Sequence, residues 1–150
     1  MIIPGGESST ISKIIKKTGI YDAIVQRIQD KNLPIMGTCA GCVLLAKKIS
    51  GTNTDVASLD AIDMEVERNA FGRQKQSFEK NIEINGFSDP FHAVFIRAPI
   101  IRNIWGTTKI LSEVDKKIVA VRQNNLLAVS FHPELTDDYR LHISFLKMII

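Results

Sequence analysis

The sequence predicts an α/β fold built on a parallel sheet, and three observations support this. An apolar strand at residues 1–3 is followed by two stretches with helical spacing of apolar residues. A second apolar strand, residues 33–36, leads directly into an apolar run rich in helix formers. Three further strands follow near the carboxyl end. The order strand, helices, strand, helix is typical of a parallel α/β sheet.

The remaining pattern places each element in order. Isoleucines within residues 11–15 predict one helix, which Thr18 and Gly19 end, and apolar residues spaced over 21–28 predict a second. Apolar and acidic residues alternate over 62–67, which predicts a half-exposed strand, antiparallel or near an edge. Polar loops are expected at residues 50–55 and 68–77. Further elements are strands at 78–84, 93–96, 110–114, 118–121 and 126–131, and a last helix with Phe145, Leu146 and Ile149 on its buried face.

The composition indicates a globular protein rather than a membrane or nucleic-acid-binding protein. The 150 residues are 45% hydrophobic and 23% charged, which predicts a single domain spanning residues 1–150. No apolar run is long enough to span a bilayer, and the net charge of +3 is small, so neither a membrane nor a nucleic-acid partner is expected. The two cysteines lie too close together to cross-link the fold, which predicts a cytoplasmic protein, and no ligand spacing for a metal is present.

The segment Gly-Thr-Cys-Ala-Gly at residues 37–41 resembles a nucleophile elbow, a sharp turn from strand to helix. Side chains at Gly37 and Gly41 would crowd the neighbouring strand and helix. Cys39 would lie at the helix N-terminus, where free N–H groups and the helix dipole favour a thiolate. A small buried cysteine in an ordinary strand–turn–helix is the alternative.

A nucleophilic cysteine needs a base, and His132 is the best of the three histidines. It follows the last strand, where active-site residues of α/β sheets collect. Glu134 lies two residues on and can accept a hydrogen bond from the far ring nitrogen. His92 is predicted to be structural, and His142 to be a core or surface histidine on the last helix. The pattern therefore favours a triad of Cys39, His132 and Glu134.

Two other patterns leave alternatives open. Cys39 and Cys42 form C-x-x-C at a helix start, as in a thioredoxin-like redox pair, although Cys42 precedes an apolar run and can equally be a buried small residue. The paired glycines Gly5 and Gly6 could form an oxyanion hole, a phosphate-binding loop or a tight turn. The phosphate interpretation is weak because the lysine of a P-loop is missing.

Five motifs carry a resemblance to a known family. Residues 4–8 (Pro-Gly-Gly-Glu-Ser), 37–41 and 130–135 (Ser-Phe-His-Pro-Glu-Leu) resemble class I glutamine amidotransferases. Residues 68–74 (Arg-Asn-Ala-Phe-Gly-Arg-Gln) and 95–99 (Phe-Ile-Arg-Ala-Pro) resemble, more narrowly, the glutaminase subunits of pyridoxal 5′-phosphate synthase, the PdxT/SNO group. The motifs occur in family order over nearly the whole chain.

This resemblance implies a fold and an activity. The fold would be flavodoxin-like, a mixed sheet with helices on both faces in three layers. The activity would be hydrolysis of L-glutamine to glutamate and ammonia through a glutamyl thioester, without metal or cofactor, and the ammonia would pass to a synthase subunit. The implied residues are Cys39, His132 and Glu134 for catalysis, Gly6 and Ala40 for the oxyanion hole, and Gly6, Glu7, Ser8, Arg68, Ile96 and Arg97 for glutamine binding.

The start of the chain departs from the family pattern. Family members carry a strand–helix–strand unit before the glycine loop, so this sequence reads as an N-terminally truncated form. We therefore expect residues 1–3 at a bare sheet edge, beside the strand at 33–36. The truncation also leaves open a non-catalytic regulatory subunit, and a related cysteine hydrolase is a further alternative.

Overall fold

The computed structural model describes residues 1–51, 55–68, 70 and 77–149. Predicted features at residues 52–54, 69 and 71–76, including most of the motif at 68–74, lie outside the described residues. The strands are β1 (Ile2–Ile3), β2 (Ile35–Thr38), β3 (Ala46–Ser50), β4 (Ile62–Glu67), β5 (Ser77–Ile82), β6 (Phe91–Ile96), β7 (Ile100–Ile104), β8 (Lys109–Val114), β9 (Lys117–Gln123) and β10 (Leu126–Val129). The helices are α1 (Ser8–Lys17), α2 (Ile20–Gln29), α3 (Ala40–Leu45) and α4 (Arg140–Leu146), with a 3-10 turn at Pro133–Leu135.

A mixed sheet forms the centre of the fold. Its strand order is β1-β2-β10-β9-β7-β4-β3. Strand β8 lies outside this order and pairs with β9. Strands β1, β2 and β10 are parallel, β10 is antiparallel to β9, and β4 pairs with β7 antiparallel and with β3 parallel. Strands β5 and β6 form a separate antiparallel pair. The half-exposed strand predicted at 62–67 is confirmed as β4, next to the edge strand β3.

Two apolar clusters hold elements on opposite faces of this sheet. Helices α1, α2 and α3 bury residues such as Ile24 and Leu44 in one cluster with Ile35 of β2. Strand β6 and helix α4 bury Phe95 and Phe145 in the other, together with neighbours on β2, β9 and β10. Alternate residues of β2 thus enter opposite cores, which is the pattern of a sheet buried on both faces. The predicted α/β fold with helices on both faces is confirmed.

Strand β1 lies at the edge of the described sheet, as predicted. Ile2 pairs with Met36 and Ile3 with Gly37 in parallel register. The side chain of Ile3 is buried, whereas that of Ile2 is 49% exposed. The expectation of an edge strand beside β2 is therefore confirmed.

The C-terminal helix differs from its prediction. Leu146 and Ile149, predicted to be buried, are 56% and 51% exposed, and the residues that α4 buries are Leu141 and Phe145. The helix spans only seven residues and ends at Leu146, so one short stripe of its surface reaches the core and Ile149 lies beyond the helix.

Strands β3 and β7 were not predicted. Strand β3 begins where α3 ends after six residues, with extended backbone at Ala46.

None of the helices formed by the described residues has the length and apolar character needed to cross a membrane.

Candidate active site

The carboxyl ends of three parallel strands meet at one edge of the sheet. The loop with Gly5 and Gly6 follows β1, Cys39 follows β2, and His132 comes shortly after β10. The backbone N–H of Cys39 donates to the carbonyl of Val129, N···O 2.9 Å, which ties the two strand ends together. Neighbouring parallel strands thus bring the predicted nucleophile and base to the same edge.

Cys39 lies in a strained turn between β2 and α3. Its backbone has φ of +48° and ψ of −101°, a conformation that L-residues rarely adopt. A Cβ at Gly37 would lie 2.6 Å from the backbone of Gly41, and one at Gly41 would lie 2.1 Å from the carbonyl oxygen of Ile3. Both glycines are therefore required by close backbone packing, and the predicted strand-to-helix elbow is confirmed.

The surroundings of Cys39 favour the neutral thiol. It is 8% exposed, and burial raises its pKa to about 11, with a smaller contribution in the same direction from the charge of Glu134. The N–H of Ala40 lowers the pKa but does not outweigh burial. The thiol donates to the carbonyl of Ile96, S···O 3.8 Å. The N–H of Ala40 acts in the predicted direction, toward the thiolate, but burial of the sulfur acts in the opposite direction and is the larger effect.

His132 and Glu134 form the predicted pair. The ring Nδ1 lies 2.8 Å from Oε1 of Glu134. Because a carboxylate only accepts, Nδ1 carries the proton and Nε2 is left as the basic nitrogen. The backbone N–H of His132 donates to the carbonyl of Val94, N···O 2.8 Å, which fixes the residue against β6. The His132 side chain is 13% exposed and that of Glu134 is 42% exposed.

Glu7 links the glycine loop to helix α1 and to Arg68. Its carboxylate accepts from the N–H of Ser9 at 3.2 Å and from the N–H and hydroxyl of Thr10 at 2.7 and 2.8 Å. A guanidinium nitrogen of Arg68 lies 3.0 Å away. The bonds from Thr10, then Ser9, lower the pKa of Glu7 to about 2. The helix cap is therefore Glu7 itself, and the carboxylate stays ionised.

One cleft of about 380 Å³ collects the predicted substrate-binding residues around Cys39 and His132. Glu134 is the one predicted site residue outside it, behind the imidazole. Val43 and Pro99 also line the cleft and were not predicted as site residues. The sequence could have indicated both, because Val43 lies one helical turn after Cys39 and Pro99 belongs to the motif at 95–99. The lining residues are Gly6, Glu7, Ser8, Cys39, Ala40, Val43, Arg68, Ile96, Arg97, Pro99 and His132.

The other candidate residues lie elsewhere. His92 contacts Asn81 and Glu79, each at 2.9 Å, on the exposed face of β5 and β6, and does not line the cleft. His142 is half-buried on α4. Cys42 has no exposed surface and burial raises its pKa, which places it in the core and argues against a redox pair. Within the part of the chain that the structure describes, no three metal-binding side chains cluster.

The geometry agrees with what comparison with known proteins finds. The model of the SNO glutamine amidotransferase family matches residues 1–150. The chain belongs to this family. Two of its relatives, from Niallia circulans and Pyrococcus furiosus, are named pyridoxal 5′-phosphate synthase subunit PdxT. The first is 48% identical over 149 residues, which is 99% of this chain and 77% of the relative. The second is 45% identical over 151 residues, which is 100% of this chain and 76% of the relative.

Solved structures give the same answer for this SNO-family chain. A crystal structure of a glutamine amidotransferase superposes with a TM-score of 0.92 at 46% identity, covering 99% of this chain and 77% of that one. A glutamine amidotransferase from Thermotoga maritima, with a TM-score of 0.58, 12% identity and coverage of 97% and 65%, shares the fold. The predicted flavodoxin-like amidotransferase fold and the predicted enzyme class, a glutaminase, are confirmed.

Proposed function

We propose that this protein hydrolyses L-glutamine with Cys39, His132 and Glu134 and supplies the ammonia to the synthase subunit of pyridoxal 5′-phosphate synthase. One observation carries the proposal: a single cleft collects the thiol, the imidazole and the residues predicted to bind glutamine. The names of the PdxT relatives point to the synthase as partner. We expect the protein to act in the cytoplasm, because both cysteines are free thiols and the nucleophile must stay reduced.

The chemistry follows from the protonation states. Nε2 of His132 takes the proton from the Cys39 thiol as the sulfur attacks the side-chain amide carbon of glutamine. The N–H groups of Gly6 and Ala40 would stabilise the oxyanion that develops. Collapse of this intermediate releases ammonia, which takes its proton from the imidazolium, and leaves a glutamyl thioester. Water then attacks the thioester with His132 again as base, and glutamate leaves.

The charges at the cleft suit a free amino acid. Arg68 and Arg97 offer cations for the α-carboxylate, and the ionised Glu7 offers an anion for the α-ammonium group. Arg68 already pairs with Glu7, so the two charges are held in a fixed relation before glutamine enters. Ser8 and Ile96 would contact the rest of the substrate. Arg97 has φ of +46°, a strained backbone of the sort that clusters at ligand-binding sites.

The orientation and burial of the Cys39 thiol predict slow glutamine hydrolysis by the isolated subunit. A buried, protonated Cys39 whose hydrogen points at the carbonyl of Ile96 is not poised to attack. Glutamine binding against Ile96 must turn the thiol toward His132. We expect docking of the synthase to favour this change and to orient the N–H of Gly6, which has a φ of +145°. We therefore expect low glutaminase activity from the isolated subunit and higher activity from its complex with the synthase.

Ammonia release from glutamine, measured with and without the synthase subunit, tests the proposal. Cys39→Ala should abolish release in the complex with the fold intact, because no other group in the cleft can form the thioester. Cys42→Ala is the matched control and should keep most of the parent rate, because Cys42 lies in the core. Turnover by Cys39→Ala near the parent rate would refute the assignment, and equal loss in both variants would favour redox chemistry instead.

A further inference from the structure

Gly5 lies directly against the imidazole of His132. A Cβ built on Gly5 would lie 2.3 Å from Cε1 of the ring, 2.9 Å from Nδ1 and 3.4 Å from Nε2. The edge of the ring that carries both nitrogens therefore faces the α-carbon of Gly5. A methyl group in this position could be accommodated only if the ring or the loop moved.

Space, rather than conformation, requires the glycine. Gly5 is not among the glycines with positive φ, so its φ does not require a glycine. Its neighbour Gly6 shows the opposite case, with φ of +145° and the nearest heavy atom to an added Cβ at 3.4 Å. The two adjacent glycines thus serve different purposes, and the purpose of Gly5 is the contact with His132.

The ring has little freedom to avoid a side chain at this position. Glu134 holds Nδ1 at 2.8 Å, and the backbone of His132 is bonded to Val94 of β6. Rotation about the side-chain bonds would break the bond to Glu134 and turn Nε2 away from its present direction. Gly5 therefore packs against the Cε1 edge of the imidazole, a side of the ring that the hydrogen bonds of His132 do not restrain.

We propose that Gly5 is a positioning residue for His132, fixing the imidazole by direct contact and joining it to the loop that holds the oxyanion-hole residue Gly6. The inference rests on the proposed function of His132 as the general base. It assigns the first glycine of the loop to the base rather than to substrate binding or to the backbone turn. Because ring and loop are in contact, a shift of the loop also shifts the base.

Alkylation of Cys39 by iodoacetamide in the glutaminase–synthase complex, where docking is expected to turn the thiol toward His132, tests the inference without glutamine turnover. At pH 7, Gly5→Ala should slow labelling at least fivefold relative to the parent, because the displaced imidazole no longer takes the thiol proton. In a His132→Ala background, the same substitution should change the rate less than twofold. Gly19→Ala is the control: its φ of +75° strains an alanine locally, but Gly19 does not line the cleft and nothing lies within 4 Å of its added Cβ, so Cys39 should label at the parent rate. Absence of labelling in Cys39→Ala identifies the site.

Turnover by the glutaminase–synthase complex gives a second readout. Gly5→Ala should lower kcat at least tenfold and leave KM within about twofold, because the binding residues are untouched. Turnover at the parent rate would overturn the inference. Equal slowing of alkylation with and without His132 would also overturn it, since Gly5 would then act through the loop alone.

Thermal unfolding keeps the inference testable if Gly5→Ala folds poorly. Removing the imidazole should make room for the methyl, so Gly5→Ala combined with His132→Ala should melt at the temperature of His132→Ala alone. Gly5→Ala by itself should melt lower than the parent. If the double variant is as impaired as Gly5→Ala, the contact is not the cause and the inference fails. If His132→Ala labels Cys39 as fast as the parent, the proposed function fails instead, and the inference with it.

Discussion

Replacing Glu134 by glutamine would remove the negative charge beside His132 but keep an oxygen able to accept the Nδ1 proton. Because the tautomer is then preserved, the loss is limited to the electrostatic stabilisation of the imidazolium that forms during attack. A hydrogen bond to a charged group contributes about 1.5–3 kcal/mol. The Glu134 side chain is 42% exposed, so solvent screening favours the lower end of this range.

A loss of about 1.5 kcal/mol corresponds to roughly a tenfold fall in kcat, since 1.36 kcal/mol is a factor of ten. One effect acts in the opposite direction: the charge of Glu134 also raises the pKa of Cys39, so its removal eases loss of the thiol proton. Tenfold is therefore an upper expectation for Glu134→Gln. Glu134→Ala also removes the acceptor and should cost roughly a hundredfold, about 3 kcal/mol.

Steady-state ammonia release by the complex measures both variants, with KM expected to change little because Glu134 lies outside the cleft. Glu113→Gln, a change at an exposed carboxylate of β8, is the matched control and should have the parent kcat. A fall of more than about a hundredfold in Glu134→Gln would refute the reasoning, because it would exceed even the expected cost of removing the acceptor, and an exposed charge cannot contribute that much. An unchanged rate in Glu134→Ala would show that His132 needs no carboxylate partner.

Two further predictions concern stability. Gly41→Ala should destabilise the fold by about 3 kcal/mol or more, the upper range for overpacking, because its Cβ would meet the carbonyl oxygen of Ile3. Urea unfolding measures this against Gly86→Ala, whose added Cβ has open space and whose cost is the strain of its positive φ, about 1–2 kcal/mol; equal stabilities would contradict the prediction. Because burial raises the pKa of Cys39 from 9.0 to about 11, the unfolded chain ionises first, so stability is retained below about pH 9 and falls between pH 9 and 11. Unfolding curves for Cys39→Ala should depend less on pH over that window, and identical dependence would contradict the burial of the thiol.

The sequence predicts part of the site because reactive residue types occur directly after predicted strands. Cys39 and His132 could be placed together because each follows a strand, and parallel strands present their carboxyl ends at one edge. Gly37 and Gly41 could be assigned to close packing because they bracket a turn. The binding residues came from motif resemblance, and the cleft brings them together with Val43 and Pro99.

What the sequence leaves undetermined depends on contacts between distant segments. Burial of the Cys39 thiol results from β6, whose Ile96 carbonyl comes close only in the folded chain. Helix propensity and spacing placed α4 but could not show that it buries Leu141 rather than Leu146, because the sheet decides which face is covered. Gly5 appears in the sequence as half of a flexible pair, and only the position of His132 shows why it must be small.

The pairing of β2 with β10 has a consequence for the protein while it is being made. Domains are synthesised from the N-terminus, so Cys39 leaves the ribosome long before the strand that lies beside it. Until β10 docks, Cys39 has neither the proposed base, His132, nor the Val129 carbonyl that accepts its backbone N–H. If the proposed function holds, a nascent chain is inactive toward glutamine until β10, the last strand, enters the sheet between β2 and β9.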